Sequence, residues 1–169
     1  LNVSFCKFSE LSADLMSGAI HLGDGSRDVA VFKSRFEGIR AGEWGVGVLY
    51  GSSADVSFDS SYFSNITVGG GSGLYSGSGQ FSLTNSEVKS VKVGGAGGLV
   101  FIFEGGNATI LDTKVTSVAA GIFGGVVAAV DRASGFVRNS EFVSARVGFD
   151  ADRIGAEDFG LLRPGGAIV

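Results

Sequence analysis

Phe58-Asp-Ser-Ser-Tyr-Phe63 is one of six short segments that superimpose along the chain, and its recurrence decides the fold. The others are Val3-Ser-Phe-Cys-Lys-Phe8, Val31-Phe-Lys-Ser-Arg-Phe36, Leu83-Thr-Asn-Ser-Glu-Val88, Ile110-Leu-Asp-Thr-Lys-Val115 and Val137-Arg-Asn-Ser-Glu-Phe142. Each sets one apolar residue five positions before another, with Cys, Ser or Thr two before the second. The second apolar residues follow one another at steps of 28, 27, 25, 27 and 27. A period in this range marks a solenoid or an array.

Outward from these segments, other columns keep the same step. Leu11, Ile39, Ile66, Val91, Val118 and Ala145 lie eight positions after the first apolar residue. Lys7, Arg35, Tyr62, Glu87, Lys114 and Glu141 form a mostly polar column beside the small one. Apolar and polar residues alternate and then break phase, which predicts strand, bend, strand. The large residues are mostly β-branched or aromatic, which suits a pleated surface. With 29 Gly in 169 residues and no stripe of period 3.6, a helix is not expected.

About ten residues further on comes a Gly followed by an apolar pair, as in Gly18-Ala-Ile20, Gly47-Val-Leu49, Gly73-Leu-Tyr75, Gly98-Leu-Val100 and Gly125-Val-Val127. This predicts the start of a further strand. Gly166-Ala-Ile168 repeats the pattern after an insertion over residues 147–164, which carries Asp150, Asp152, Arg153, Glu157, Asp158 and Arg163 and reads as a binding loop or a solvated excursion. A short strand is also expected at Val29, Val56, Phe81 and Ala108. Three strands per repeat make one coil of an all-β, right-handed parallel β-helix, the hand following from the rule for parallel crossovers. Six coils would rise roughly 29 Å.

Ser17-Gly-Ala-Ile20, Gly165-Gly-Ala-Ile168, Gly97-Gly-Leu-Val100 and Gly124-Gly-Val-Val127 carry a resemblance to the pectin-lyase-like β-helix superfamily. Within it the chain is most similar to the repeats of polymorphic outer-membrane and autotransporter passengers, which use Gly-Gly-Ala-Ile and Phe-x-x-Asn elements. The second element matches poorly: Phe63-Ser-Asn65 is one residue short, and Phe136-Val-Arg-Asn139 falls elsewhere in the coil. The resemblance implies a surface or secreted stalk. Fold alone does not give function.

By length the chain is one domain, residues 1–169. Both ends fall inside a repeat and lack a polar cap, so a fragment of a longer solenoid, or ends that abut other subunits, is expected. No apolar run reaches the length of a membrane-spanning helix, although hydrophobic residues make up 44% and the mean hydropathy is +0.33. A net charge of −4 and a pI near 4.9 argue against nucleic-acid binding, which needs a clustered basic face. Lys and Arg read as scattered single residues. Cys6, alone in the chain, occupies the small column and reads as a buried thiol. Three sequons, at Asn2, Asn65 and Asn107, are candidate N-glycan sites on wet faces.

Several patterns touch on chemistry. Asp59 and Asp112 are the best-placed strand carboxylates for the acid–base pair of a carbohydrate-active enzyme, but they lie two coils apart with Asn85 between, and a solvated turn is the competing reading. His21 has no evident partner. Asp24-Gly-Ser26-Arg-Asp28 alternates oxygen ligands but lacks the Gly and Glu that close a Ca²⁺ loop. Val68-Gly-Gly-Gly-Ser-Gly73 has no Lys-Ser/Thr after it and reads as a bend, not a phosphate loop. No cofactor or metal is expected.

After the Gly column both alternating columns are apolar: Val48, Leu74, Leu99 and Val126 in one, Leu49, Tyr75, Val100 and Val127 in the other. Alternation would turn one of them outward. The expectation is therefore an apolar stripe of Val48, Leu74, Leu99 and Val126, extended by Tyr50 and Phe101, that binds other protein subunits or copies of the chain. These readings favour a non-catalytic extracellular or cell-surface module, structural or adhesive, packing laterally or end to end. The alternative is a polysaccharide lyase or glycoside hydrolase. An ice-binding face fits less well, because Thr109, Thr113 and Thr116 make a local cluster and no ladder.

Overall fold

A computed structural model describes residues 1–23, 27–43, 45–122 and 124–147. The described residues are all-β, and every strand pair is parallel. The first coil holds β1 (Asn2–Ser4), β2 (Lys7–Ser9), β3 (Ser12–Ala13) and β4 (Ile20–His21). The second holds β5 (Asp28–Phe32), β6 (Arg35–Glu37), β7 (Arg40–Ala41) and β8 (Leu49–Tyr50). The third, fourth and fifth are β9 (Asp55–Asp59), β10 (Tyr62–Val68) and β11 (Tyr75–Gly77); β12 (Gln80–Thr84), β13 (Glu87–Val93) and β14 (Val100–Ile102); and β15 (Asn107–Leu111), β16 (Lys114–Ala120) and β17 (Val127–Ala129). A sixth level begins with β18 (Ser134–Arg138) and β19 (Glu141–Val147).

Like strands stack into three sheets, in the orders β1-β5-β9-β12-β15-β18, β2-β6-β10-β13-β16-β19 and β4-β8-β11-β14-β17. The described residues thus form a parallel β-solenoid of five complete turns and two faces of a sixth, against the expectation of about six coils. The registers are those the columns require: Val31 pairs with Phe58, Phe36 with Phe63, Val88 with Val115, and Leu49 with Tyr75.

The break in phase has a backbone cause. Glu10, Gly38, Asn65, Ser90, Ser117 and Ser144 all have positive φ, between 53° and 63°. One left-handed residue per coil kinks the second sheet, so that Phe63 and Ile66, three apart, both point inward. A second left-handed column, Phe5, Lys33, Ser60, Asn85, Asp112 and Asn139, makes the corner between the first and second sheets. Asn and Asp tolerate this region better than most side chains.

At that corner the small column becomes a hydrogen-bonded ladder. The backbone N–H groups of Cys6, Ser34, Ser61, Ser86 and Thr113 donate to the side-chain oxygens of Ser34, Ser61, Ser86, Thr113 and Ser140 in the next coil, at 3.0–3.4 Å. Each of those hydroxyls donates to the carbonyl two residues before it, as Ser61 Oγ does to Asp59 at 3.0 Å. The side chain thereby serves a donor that the turn would leave orphaned. Cys6 heads the ladder and is exposed rather than buried, its thiol 3.3 Å from the Ser4 carbonyl.

The Gly column has a steric cause. A Cβ on Gly18, Gly47, Gly73 or Gly98 would overlap the carbonyl oxygen of the equivalent Gly one coil along, and an Ile or Val methyl as well. Only Gly permits level stacking there.

The apolar stripe is not on the surface. Val48, Leu74, Leu99 and Val126 are 0% exposed, and so are Leu49, Tyr75 and Val100. Strand alternation does not reach the first column, because Val48 and Leu74 sit in the bend that precedes the strand and the chain turns the corner there. Both columns enter the core. Of the six residues expected to contact a partner, only Tyr50 and Phe101 are half-buried, and Ser76 separates them along the stack. The core residues Val3, Phe8 and Leu11 in the first coil, and Val137, Phe142 and Ala145 in the sixth level, are partly exposed, whereas their equivalents between are buried.

Candidate functional groove

The second sheet turns charged residues outward in three columns that differ in chemistry. In the first two, led by Lys7 and Arg35 and by Glu37 and Lys89, the charges pair. Glu37 accepts from Arg35 at 2.6 Å and lies 3.5 Å from Lys7. Lys89 pairs with Glu87 at 2.7 Å, and Lys114 with Glu141 at 3.1 Å. Tyr62 stands between cations, its ring centre 4.4 Å from the Arg35 guanidinium and 5.4 Å from Lys89. The Arg35 hydrogen bond is the chief cause that holds the Glu37 carboxyl below its usual range, and it raises Arg35 in turn. These pairs are wholly or partly solvent-exposed, so they stabilise little.

The third outward column is Ser12, Arg40, Thr67, Lys92, Ala119 and Arg146, aligned by the registers of the second sheet. Arg40, Lys92 and Arg146 are exposed, and none is in an ion pair among the described residues. From Thr67 to Arg146 this column forms one wall of a groove of about 1280 Å³ along the corner between the second and third sheets. The floor is Gly69, Gly70, Gly94, Gly95 and Gly121; Ser76 and Phe101 stand opposite, and Glu43 lies at one end. A Cβ on Gly70, Gly94 or Gly121 would strike the backbone of the preceding coil, so stacking requires a floor bare of side chains.

The basic residues are therefore not scattered: Lys7, Arg35, Arg40, Lys89, Lys92, Lys114 and Arg146, seven of the chain's 13 Lys and Arg, lie on one sheet. Column periodicity carries the signal for the groove. Arg40, Thr67, Lys92, Ala119 and Arg146 each fall nine positions after the first apolar residue of their repeats, a column that the inspection of apolar positions passes over.

The other candidates resolve individually. The Asp59 carboxylate accepts from Thr84 Oγ1 at 2.8 Å, Asn85 Nδ2 at 2.9 Å and Ser60 Oγ at 3.2 Å, and the Asn85 bond first among these holds it below the usual Asp range. Asn85 thus binds Asp59, while Asp112 is an exposed corner residue with no side-chain bond to either. His21 is exposed and stacks on Tyr50, with ring centres 5.5 Å apart. Of the sequon residues, Asn2 and Asn65 are exposed, while Asn107 is half-buried and its side-chain oxygen accepts from Ser134 Oγ at 2.9 Å. Asp24 to Ser26 of the acidic loop and residues 148–164 of the insertion lie outside the described residues. Among the described residues no group of three or more His, Cys, Asp or Glu is placed to hold a metal, and no helix is long and apolar enough to cross a membrane.

Comparison with known proteins finds no matching family model, no matching curated protein and no matching solved structure.

Proposed function

We propose that the chain is a non-catalytic structural or adhesive β-helix module of an extracellular or cell-surface protein, related in architecture to the pectin-lyase-like superfamily and to autotransporter passenger repeats. The observation that carries this reading is the spacing of the groove charges. Lys92 and Arg146 stand two coils apart on their column, about 10 Å along the axis at the usual strand separation. Catalytic groups converge on one reacting atom within hydrogen-bond reach. Charges drawn out along a rod suit a long partner. For end-to-end contact the charges are complementary: Glu141 of one copy would meet Lys7 of the next in the column where Lys114 and Glu141 already pair.

Two measurements test this. Light scattering over a concentration series should show association that weakens in Glu141→Lys. A panel of acidic and neutral polysaccharides should show no new reducing ends or unsaturated products. Turnover lost in Lys92→Ala would instead assign the alternative, a carbohydrate-active enzyme.

A further inference from the structure

We propose that the column of Arg40, Lys92 and Arg146, the last two on the wall of the corner groove and Arg40 just beyond its end, holds an extended acidic polypeptide in the polyproline II conformation, with a carboxylate at every third residue set against each cation. The inference rests on the adhesive reading and names its partner. Stacked strands are about 4.8 Å apart, so cations on every second coil recur at about 9.6 Å. A polyproline II chain rises about 3.1 Å per residue with three residues per turn, so one of its faces recurs at about 9.3 Å. Across the two intervals the mismatch stays under about 1 Å. A β-strand repeats its face at about 6.7 Å and falls out of step at the first interval.

The rest of the groove agrees. Polyproline II leaves its backbone groups without internal partners. Thr67 and Ser117 offer hydroxyls along the wall, and the Gly floor lets a backbone approach. Phe101 supplies the aromatic surface on which such segments pack. Between the cations the column is uncharged, at Thr67 and Ala119, and Glu43 lines the same groove. A polyanion charged at every unit would set anions against all three. A peptide charged at every third residue leaves neutral residues there. In a chain of net charge −4, three cations in one line, none in an ion pair among the described residues, are the complement of such a ligand.

The test is fluorescence anisotropy on the full chain with a labelled peptide of Glu-Pro-Pro repeats. Binding should weaken with salt and fall about tenfold in the Arg40→Ala, Lys92→Ala, Arg146→Ala triple variant, the sum of three exposed ion pairs. Lys33→Ala and Lys89→Ala, both off that column, should leave it unchanged. A peptide with the same number of Glu at alternate positions should bind more weakly. Equal binding of the two peptides, no binding, or tighter binding of an oligouronate on the same three cations would overturn the proposal. None of these outcomes bears on the association measured with Glu141→Lys, so the two readings fail separately.

Discussion

The cores of the second and third coils, with Phe81 of the fourth, hold packed aromatic rings; the rest of the fourth and the fifth, on the same columns, hold aliphatic side chains. Phe36 stacks on Phe63 at 5.2 Å, and Phe58 meets both edge-on at 6.0 and 5.3 Å. Tyr75 stacks on Phe81 at 5.3 Å, at the border of the two regions. Beyond it Leu83, Val88, Val91, Leu99, Val100 and Ile102 are buried, and then Ile110, Val115 and Val118. The registers do not change between them. Side-chain identity therefore does not set the stacking; the kinks, the Gly column and the hydroxyl ladder do. Identity sets how much each level stabilises.

Phe63→Ala and Val115→Ala, in one column, test that division most strongly. Phe63 is 0% exposed and touches two rings, and its loss should cost about 3–5 kcal/mol. Val115→Ala removes two methyl groups and should cost about 2 kcal/mol. Denaturant titration measures both. Equal losses would mean that the aromatic cluster adds nothing beyond the column.

The ladder should behave the other way. Ser61→Ala leaves the Ser34 N–H without its acceptor, and Ser86→Ala does the same to Ser61. Both donors are buried, so each variant should lose about 1–3 kcal/mol. The two losses should match, since the ladder runs through both regions unaltered. A clear inequality would show that the neighbouring side chains, not the turn geometry, give the ladder its worth.

These features also mark what a sequence can tell. The 27-residue step, the inward columns from Val31 to Val137 and the small ladder column are legible because stacking forces equivalent residues into equivalent places. The corners are not. Val48 and Leu74 look like strand residues in a string of letters, and only the turn of the backbone sends them and their neighbours Leu49 and Tyr75 into one core. The groove was hidden for the related reason that Arg40, Lys92 and Arg146 alternate with Thr67 and Ala119. A column read for hydrophobicity shows no pattern there; read for charge, it shows every second level.

The smallest expected effect separates the two regions by pH. Tyr75 is buried, donates to the Ala54 carbonyl at 2.9 Å, and is pushed up to about 12, first by burial. A tyrosine whose folded pKa is raised contributes stability that is whole below its ordinary value near 10 and is lost as the pH rises through about 12. At neutral pH, Tyr75→Phe should cost only about 1 kcal/mol, the net worth of one hydrogen bond. Between pH 10 and 12 it should instead hold its stability while the wild type falls. Thermal melts across that range measure the difference. Among the described residues, Val88, Val115 and the aliphatic columns around them carry no ionisable side chain into the core, so the alkaline loss should begin around the Tyr75–Phe81 stack. If the wild type and Tyr75→Phe decline together, the ring is not the group that titrates, and the buried hydrogen bond to Ala54 does not govern the stability of that level.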